Sequence, residues 1–326
     1  MHSVKLSSEV QKEFKNWVIS QKILDKVSSY LSEKGHRARV KAGLENALMN
    51  LQPSENCNGL NLFMKVDNQA VKNGFTYASI QLEEFEAQDI VKVIKETSTF
   101  YNDNVEIPAD AQMTSDAFHL DPFELKRNQY IDKAFEFVST KTTESDAANA
   151  ILRSALRYSS IYAETRHIGP PQRVYDKFYE WGIRNEGFAS PFNARLLGKT
   201  SAQFYSLFKD TDAIFGSAGS FFNLNQPENP GHWCLDPPFT TEIMSRVDEI
   251  LKEWLSKYQS LSFLLIIPES HTPANKPDET VTLKKDAHYY EGLEGVLKPL
   301  PVNVCIHRYG NLKGFSADAI LEGYSK

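Results

Sequence analysis

Apolar positions in residues 4–50 recur at helical spacing. In VQKEFKNWVISQKILDKVSSYL they bring Val10, Phe14, Trp17, Val18 and Ile23 near one another, and RVKAGLENALMNL repeats the pattern after Gly35, so packed helices are expected here. ENCNGLN at 55–61 is rich in turn formers and breaks the pattern. Beyond it, NLFMKV and GFTYASI read as short strand-like runs and EEFEAQDIVKVIKE as an acidic helix. Residues 96–122, weakly periodic and carrying Pro108, read as a loop or an inserted arm. FELKRNQYIDKAFEFV and SDAANAILRSALRYSSIYAET predict two more helices. The second turns Ile151, Ala155, Leu156 and Tyr158 toward a core and sets Arg153 and Arg157 one turn apart.

The pattern changes at Gly169-Pro170-Pro171. From there, short apolar runs ending in small or acidic residues alternate with helical stretches, which is how an α/β fold reads. The candidate strands are VYDKFYEWG, DAIFGS, HWCLDPPF, SFLLIIPES and VNVCIHRY. TTEIMSRVDEILKEWLSKY lies between the third and fourth, and its stripe of Ile243, Val247, Ile250, Leu251 and Trp254 suits a crossover helix covering a sheet. SFLLIIP, apolar throughout with polar borders, reads as a central parallel strand. The expected organisation is a mainly helical accessory domain at 1–168, carrying a candidate RNA-binding surface, and an α/β domain at 169–326.

Composition narrows the chemistry. With 326 residues and 41% hydrophobic content the chain can bury one sizeable core or two smaller ones. Cys57, Cys234 and Cys305 are far apart with no CxxC partner, so neither a thiolate zinc site nor a disulfide framework is suggested and no metal is expected. No apolar signal core or membrane-length run is seen, which sets the expectation of an intracellular protein, nuclear or cytoplasmic. The net charge of -6 argues against non-specific coating of nucleic acid, yet residues 126–195 carry 11 Lys/Arg against 8 Asp/Glu. Arg153, Arg157, Arg166, Arg173 and Arg184 in that stretch read either as solvated helix faces or as parts of a phosphate-binding rim.

Asp236-Pro237-Pro238-Phe239 follows a predicted strand and precedes a predicted helix, where open α/β sheets bind ligands. Consecutive prolines hold the chain extended and remove two amide donors, leaving backbone carbonyls to act as acceptors. The exocyclic amine of an adenine could donate to the Asp236 carboxyl and the Pro237 carbonyl, with Phe239 stacked on the base; such stacking contributes about 1–3 kcal/mol. The simpler alternative is a strand-to-helix turn with an Asp cap. Thr240 and Thr241, as helix caps, and the preceding tract GSFFNLNQPENPG, as a substrate lid, favour the site.

Glu186-Gly187-Phe188-Ala189-Ser190-Pro191-Phe192-Asn193 is a second constellation. Its small residues allow a cofactor to approach, and Asn193 can donate or accept hydrogen bonds, although Phe188 and Phe192 equally suit a core. In KDTDAIFGSAGSF, Asp210 or Asp212 could take ribose hydroxyls or simply cap a turn. His288 beside Tyr289 and Tyr290 is a substrate contact or, more simply, a satisfied core histidine. His271 has no ligand partner at metal-site spacing, and His307-Arg308 closes a strand.

In order, EGFASPFN, FKDTDAIFGSAGSFF, LDPPFTTEIM and LSFLLIIPES resemble the methyltransferase core of the PCIF1 family, over roughly residues 170–325 and more faintly from about 126. The resemblance implies a Rossmann-like class I methyltransferase core that uses S-adenosylmethionine to N6-methylate the 2′-O-methyladenosine beside an mRNA cap. It implies catalytic roles for Asp236, Pro237, Pro238 and Phe239, and cofactor contacts from Phe188, Ala189, Ser190, Asn193 and Asp212. Arg153, Arg157, Glu269 and His288 stand as candidates for substrate contact. The family motif reads NPPF, so Asp236 replaces its Asn; adenine-N6 methylation of DNA is the enzymatic alternative, and an inactive nucleic-acid-binding fold the non-enzymatic one. Trp17, Trp181, Trp233 and Trp254 include no close pair such as a WW domain uses, so polymerase-tail docking of that kind is not expected, nor is a membrane partner.

Overall fold

The computed structural model describes all residues except 1, 37–38, 53–61, 102–103, 164–166, 228 and 294, so the ENCNGLN tract, Cys57 and Arg166 lie outside the described residues. The chain forms two compact units, Met1–Arg127 with Phe135–Thr165, and Asn128–Ala134 with Arg166–Lys326.

The first unit is not only helical. Helices α1 (Ser8–Glu33), α2 (Val40–Met49), α3 (Leu62–Lys65), α4 (Asn68–Tyr77), α5 (Glu84–Tyr101) and α7 (Glu144–Ser160) accompany an antiparallel sheet of β1 (His2–Lys5), β2 (Asp110–Met113), β3 (Ala117–Leu120) and β4 (Phe123–Lys126). Helix α6 (Gln129–Ser139) begins in the second unit's residues and ends in the first's. The strand-like runs NLFMKV and GFTYASI are in fact helices α3 and α4, because Asp67 caps the Ala70 amide at 2.8 Å and Val71 and Phe75 then share one buried face. The expected loop at 96–122 instead holds the end of α5 and strands β2 and β3, and FELK is β4, not helix. α1 and α7 follow the apolar spacing. Ser7 and Thr143 cap them through the amides of Val10 and Asp146.

The second unit is built on a six-stranded sheet in the order β6-β5-β7-β8-β12-β9: β5 (Ile183–Ala189), β6 (Gln203–Ser206), β7 (His232–Leu235), β8 (Phe263–Pro268), β9 (Glu279–Leu283) and β12 (Val304–Tyr309). β5, β6, β7 and β8 are parallel, while β12 runs antiparallel to both of its neighbours. VYDKFYEWG, expected as a strand, forms helix α8 (Gln172–Glu180), and DAIFGS continues the one-turn helix α9 (Lys209–Asp212) into a tight 3-10 turn. In the first, Val174, Tyr175 and Phe178 lie at helical spacing and are buried together, which a two-residue alternation would not allow. The central strand FLLIIP is parallel on its β7 side and antiparallel on its β12 side.

Alternation along β7 and β8 sorts the core into two faces. Cys234, Leu264 and Ile266 join Val174, Tyr175, Phe178, Tyr290 and Tyr324 in one cluster. Trp233 packs against Tyr205, Phe221 and Trp254. Trp254 belongs to α10 (Thr241–Lys257), whose buried Ile243, Val247, Ile250, Leu251 and Trp254 are the stripe expected of a crossover helix. A hairpin of β10 (Tyr289–Glu291) and β11 (Leu297–Pro299) and the short α11 (Ala317–Gly323) complete the unit.

Candidate active site at the carboxyl ends of β5 and β7

β5 is the first strand of its sheet and has β6 on one side and β7 on the other, so the chain order reverses at β5. In open α/β sheets such a reversal opens a crevice at the carboxyl ends of the strands. Glu186-Gly187-Phe188-Ala189 ends β5 and Asp236-Pro237-Pro238-Phe239 follows β7, so the two constellations meet there. Register explains the approach. Glu186 is the partner of Cys234, and Asp236 lies two residues beyond Cys234, on the same face by alternation. β5 bulges between Ile183 and Asn185 on its β7 side and shifts register again between Glu186 and Ala189 on its β6 side, a common device beside functional sites.

Asp236 is half-buried. Burial pushes its carboxyl up to about 8, the Glu186 charge adds to the rise, and the Arg195 guanidinium opposes it. Among the described residues none donates a hydrogen bond to this carboxyl. The Thr240 amide donates to the Pro238 carbonyl at 2.8 Å, while no described backbone amide donates to that of Pro237. Thr240 occupies the N-cap of α10 without a side-chain cap bond, so the helix start does not engage the tetrad through that hydroxyl. Phe239 is half-buried against the cluster containing Cys234 and Tyr175.

Glu186, 2% exposed, was not singled out for a role by its sequence; a carboxylate in a strand otherwise headed into the core was the available signal. It accepts the amides of Arg195 and Leu196 at 3.2 and 3.0 Å. Burial nevertheless raises it to about 7, against those two amides and the Arg195 and Lys133 charges. Arg195, 1% exposed, donates to the carbonyls of Pro170 and Glu291 at 2.9 and 3.0 Å, and its guanidinium lies 4.1 Å from the Tyr130 ring centroid. Burial lowers the Lys133 ammonium, with Glu186 opposing. Two carboxyls and two cations thus share this end of the sheet; the sequence names Glu186 within its second constellation but assigns a role to Asp236 alone.

Among the cofactor candidates, Phe188 and Ala189 are half-buried, and the Phe188 ring meets Phe221 at a tilt and Phe222 edge-on, with centroids 5.1 and 5.5 Å apart. The Asn193 side chain accepts the Ser190 amide at 2.6 Å and its hydroxyl at 3.2 Å, shaping the turn after β5. Asp212 is 0% exposed and accepts the Thr211 hydroxyl at 2.8 Å, so its carboxyl is enclosed, whereas Asp210 is exposed. The tract 219–231 is anchored at both ends: Phe221 is buried against Trp233 and Trp254, and Asn185 exchanges hydrogen bonds with Asn229 and donates to the Gly231 carbonyl.

The substrate candidates are scattered. Arg157 is buried in the first unit, where Nε donates to Glu13 at 2.8 Å and Nη2 pairs with the other carboxylate oxygen, which takes it away from any surface. Arg153 is half-buried on the same helix. Glu269 is exposed and accepts the Asn303 amide at 2.6 Å. His288 is 2% exposed, with Nδ1 at 2.7 Å from the Lys284 carbonyl. In the second unit, Arg173 donates to the carbonyls of Gly323 and Ser325, and Arg184 lies over the Tyr179 ring. The positive stretch is therefore largely spent on internal contacts. Among the described residues no His/Cys/Asp/Glu group could hold a metal, and no helix is long and apolar enough to cross a membrane.

Comparison with known proteins places this site in a matched region. Residues 135–291 match the family described as "Phosphorylated CTD interacting factor 1 WW domain", a span that runs from within α6 through β10 and contains both constellations. The mRNA (2'-O-methyladenosine-N(6)-)-methyltransferase of Mus musculus is 32% identical over 105 residues, and that of Homo sapiens 33% over 105. Each alignment covers 32% of this chain and 14% of the relative. The resemblance to the PCIF1 family read from the four sequence blocks is borne out.

Proposed function

We propose that this chain is an S-adenosylmethionine-dependent adenosine-N6 methyltransferase of RNA, acting on the cap-adjacent 2′-O-methyladenosine. The observation that carries the reading is the pair of unengaged acceptors, the Asp236 carboxyl and the Pro237 carbonyl, at the strand-order reversal of a region related to enzymes named for that reaction. An amine bound to both would be held with its nitrogen aimed at a methyl donor, and orientation of this kind supplies much of the rate enhancement when the donor is already activated.

A Rossmann-like class I core is favoured by four parallel strands reversing at β5, with β12 inserted antiparallel between β8 and β9. Such a core would make residues 169–326 the catalytic portion and 1–168 an accessory portion. The site suits S-adenosylmethionine by its chemistry. Small and half-buried residues end β5 and leave room for a ligand to approach the backbone closely. Phe188 and Ala189 would line that ligand, while Asn193 and Ser190 hold the turn beneath it. Bound there, the donor supplies a methyl group on positively charged sulfur.

Transfer of labelled methyl from S-adenosylmethionine is the test, using RNA that begins with capped 2′-O-methyladenosine, its uncapped counterpart and a matched DNA. Transfer to the capped RNA, with N6-methyladenine recovered on digestion, is expected. Folded chain that binds the donor and methylates none of the three would overturn the proposal, and preference for DNA would replace the substrate.

A further inference from the structure

His288, Tyr290 and Tyr324 form a cluster that plays no part in the function just proposed. All three are buried, and their ring centroids lie 6.0 Å (His288 to Tyr290), 6.3 Å (His288 to Tyr324) and 5.7 Å (Tyr290 to Tyr324) apart. The backbone holds them together, with the Tyr289 amide donating to the Tyr324 carbonyl at 2.9 Å and the Leu300 amide to the His288 carbonyl at 3.2 Å.

The cluster has a polarity. His288 Nδ1 faces the Lys284 carbonyl, which can only accept, so in the neutral ring Nδ1 carries the hydrogen and Nε2 is a bare acceptor. Nε2 is buried without a partner, and neither tyrosine hydroxyl makes a hydrogen bond of normal geometry to a described residue, although the two are near enough to influence one another's ionisation. Buried polar groups are rarely left in that state. If a hydroxyl donates to Nε2 and the second hydroxyl donates to the first, the open end of the row is an oxygen lone pair, an acceptor. Tyr290 and Tyr324 pack in one cluster with Cys234 and Tyr175, and Phe239 packs against it, so the row lies beside Asp236, which stands between Cys234 and Phe239 in the chain. The Asp236 charge acts on both hydroxyls, and Tyr175 from α8 and Glu186 from β5 complete the titratable surroundings of Asp236 on this face.

We propose that His288, Tyr290 and Tyr324, joined by a bound water, form a directional hydrogen-bond chain that accepts from Asp236 and holds it as a neutral carboxylic acid. One oxygen then donates inward, and the other, a carbonyl oxygen, faces outward as an acceptor. This last clause rests on the proposed amine recognition; the protonation state does not. A neutral carboxylic acid offers one carbonyl and one donor, as an asparagine amide does, which accounts for an Asp standing where the NPPF motif has Asn. The desolvation of Asp236 works in the same direction. Tyr290, Tyr324 and His288 are thereby positioning residues.

Infrared difference spectra of the full chain, wild type against Asp236→Asn, test the protonation directly from about pH 6 to about pH 9. A protonated-carboxyl band at neutral pH is expected, and Tyr290→Phe and Tyr324→Phe, which keep the rings, should each move its titration down by about one pH unit. Thermal unfolding verifies that these variants fold. In methyl transfer at about pH 9, kcat should fall about tenfold in either Phe variant with KM unchanged, the loss shrinking to about twofold near pH 7. The loss of rate on raising pH should move to lower pH in both variants and vanish in Asp236→Asn. The proposal is overturned if the band is absent at neutral pH, or if both Phe variants fold and titrate as the wild type does. A band that behaves as expected in a chain without methyl transfer overturns the proposed function and leaves the hydrogen-bond chain standing.

Discussion

Glu186 of β5 is in register with Cys234 of β7, and Asp236 follows two residues beyond, near enough that the charge on Glu186 helps keep the proton on Asp236. The coupling has a cost to folding that depends on pH. A carboxyl held near 8 in the folded chain, against 3.8 for an ordinary Asp, takes up protons on folding, so stability is unpenalised below about pH 4 and is lost as pH rises toward 8. Asp236→Asn should remove that loss. Its stability advantage over wild type is expected to grow from about pH 4 and level off above 8, reaching on the order of 1 kcal/mol or more, as read by urea unfolding at a series of pH values.

Asp236→Ala removes the side-chain acceptor but not the Pro237 carbonyl. Methyl transfer is expected to drop on the order of 100-fold, by analogy with loss of one preorganised hydrogen-bonding group, while calorimetric binding of S-adenosylmethionine persists. Loss of donor binding together with activity would assign Asp236 to the cofactor and not to the amine.

Arg195 joins the turn after β5 to Pro170 and Glu291 through two carbonyl acceptors and lies over Tyr130. Lysine lacks the planar fork needed for both contacts. Arg195→Lys should destabilise the chain by about 2–3 kcal/mol in denaturant titrations, since a buried carbonyl is left without its donor.

Glu13 and Arg157 form a buried pair in which each side chain is at most 3% exposed. Breaking it from one side strands the other charge. Glu13→Gln is expected to cost about 3–5 kcal/mol, whereas Glu13→Leu combined with Arg157→Met should cost much less; equal losses from the single and double changes would show that the pair is not the source.

Gly74 of α4 crosses α2 so closely that a Cβ would lie 2.4 Å from the Ala47 nitrogen and 2.5 Å from the Gly43 oxygen. Backbone atoms cannot turn aside as a side chain can. Gly74→Ala should force α2 and α4 apart and destabilise by about 1–3 kcal/mol, visible as a lower Tm.

Much of the framework was legible where pattern and physics coincide. The stripe of α10, the apolar run of β8, the helical spacing of α1 and α7, and the α/β character after Gly169 each followed from residues close together in sequence. Short apolar runs misled where they were ambiguous between periods. LFMK and VYDKFYE hold apolar residues at spacings that a strand or a helix could use, and burial against neighbours settled both as helix. β2, β3 and β4, four residues each, are specified by pairing partners far along the chain, which local pattern does not reveal.

By itself, the sequence determined the tetrad Asp236–Phe239, its place between a strand and a helix, and the ordered blocks that relate it to a family, because these depend on local order along the chain. Only the tertiary structure decided what surrounds it. Register placed Glu186 beside Asp236, packing of segments about 90 to 100 residues apart brought Arg195 to Glu291 and Tyr324 to the face of Cys234, and burial withdrew Arg157 into an ion pair. Electric fields and desolvation act through space, so the protonation of Asp236 is a property of the folded sheet and not of the motif.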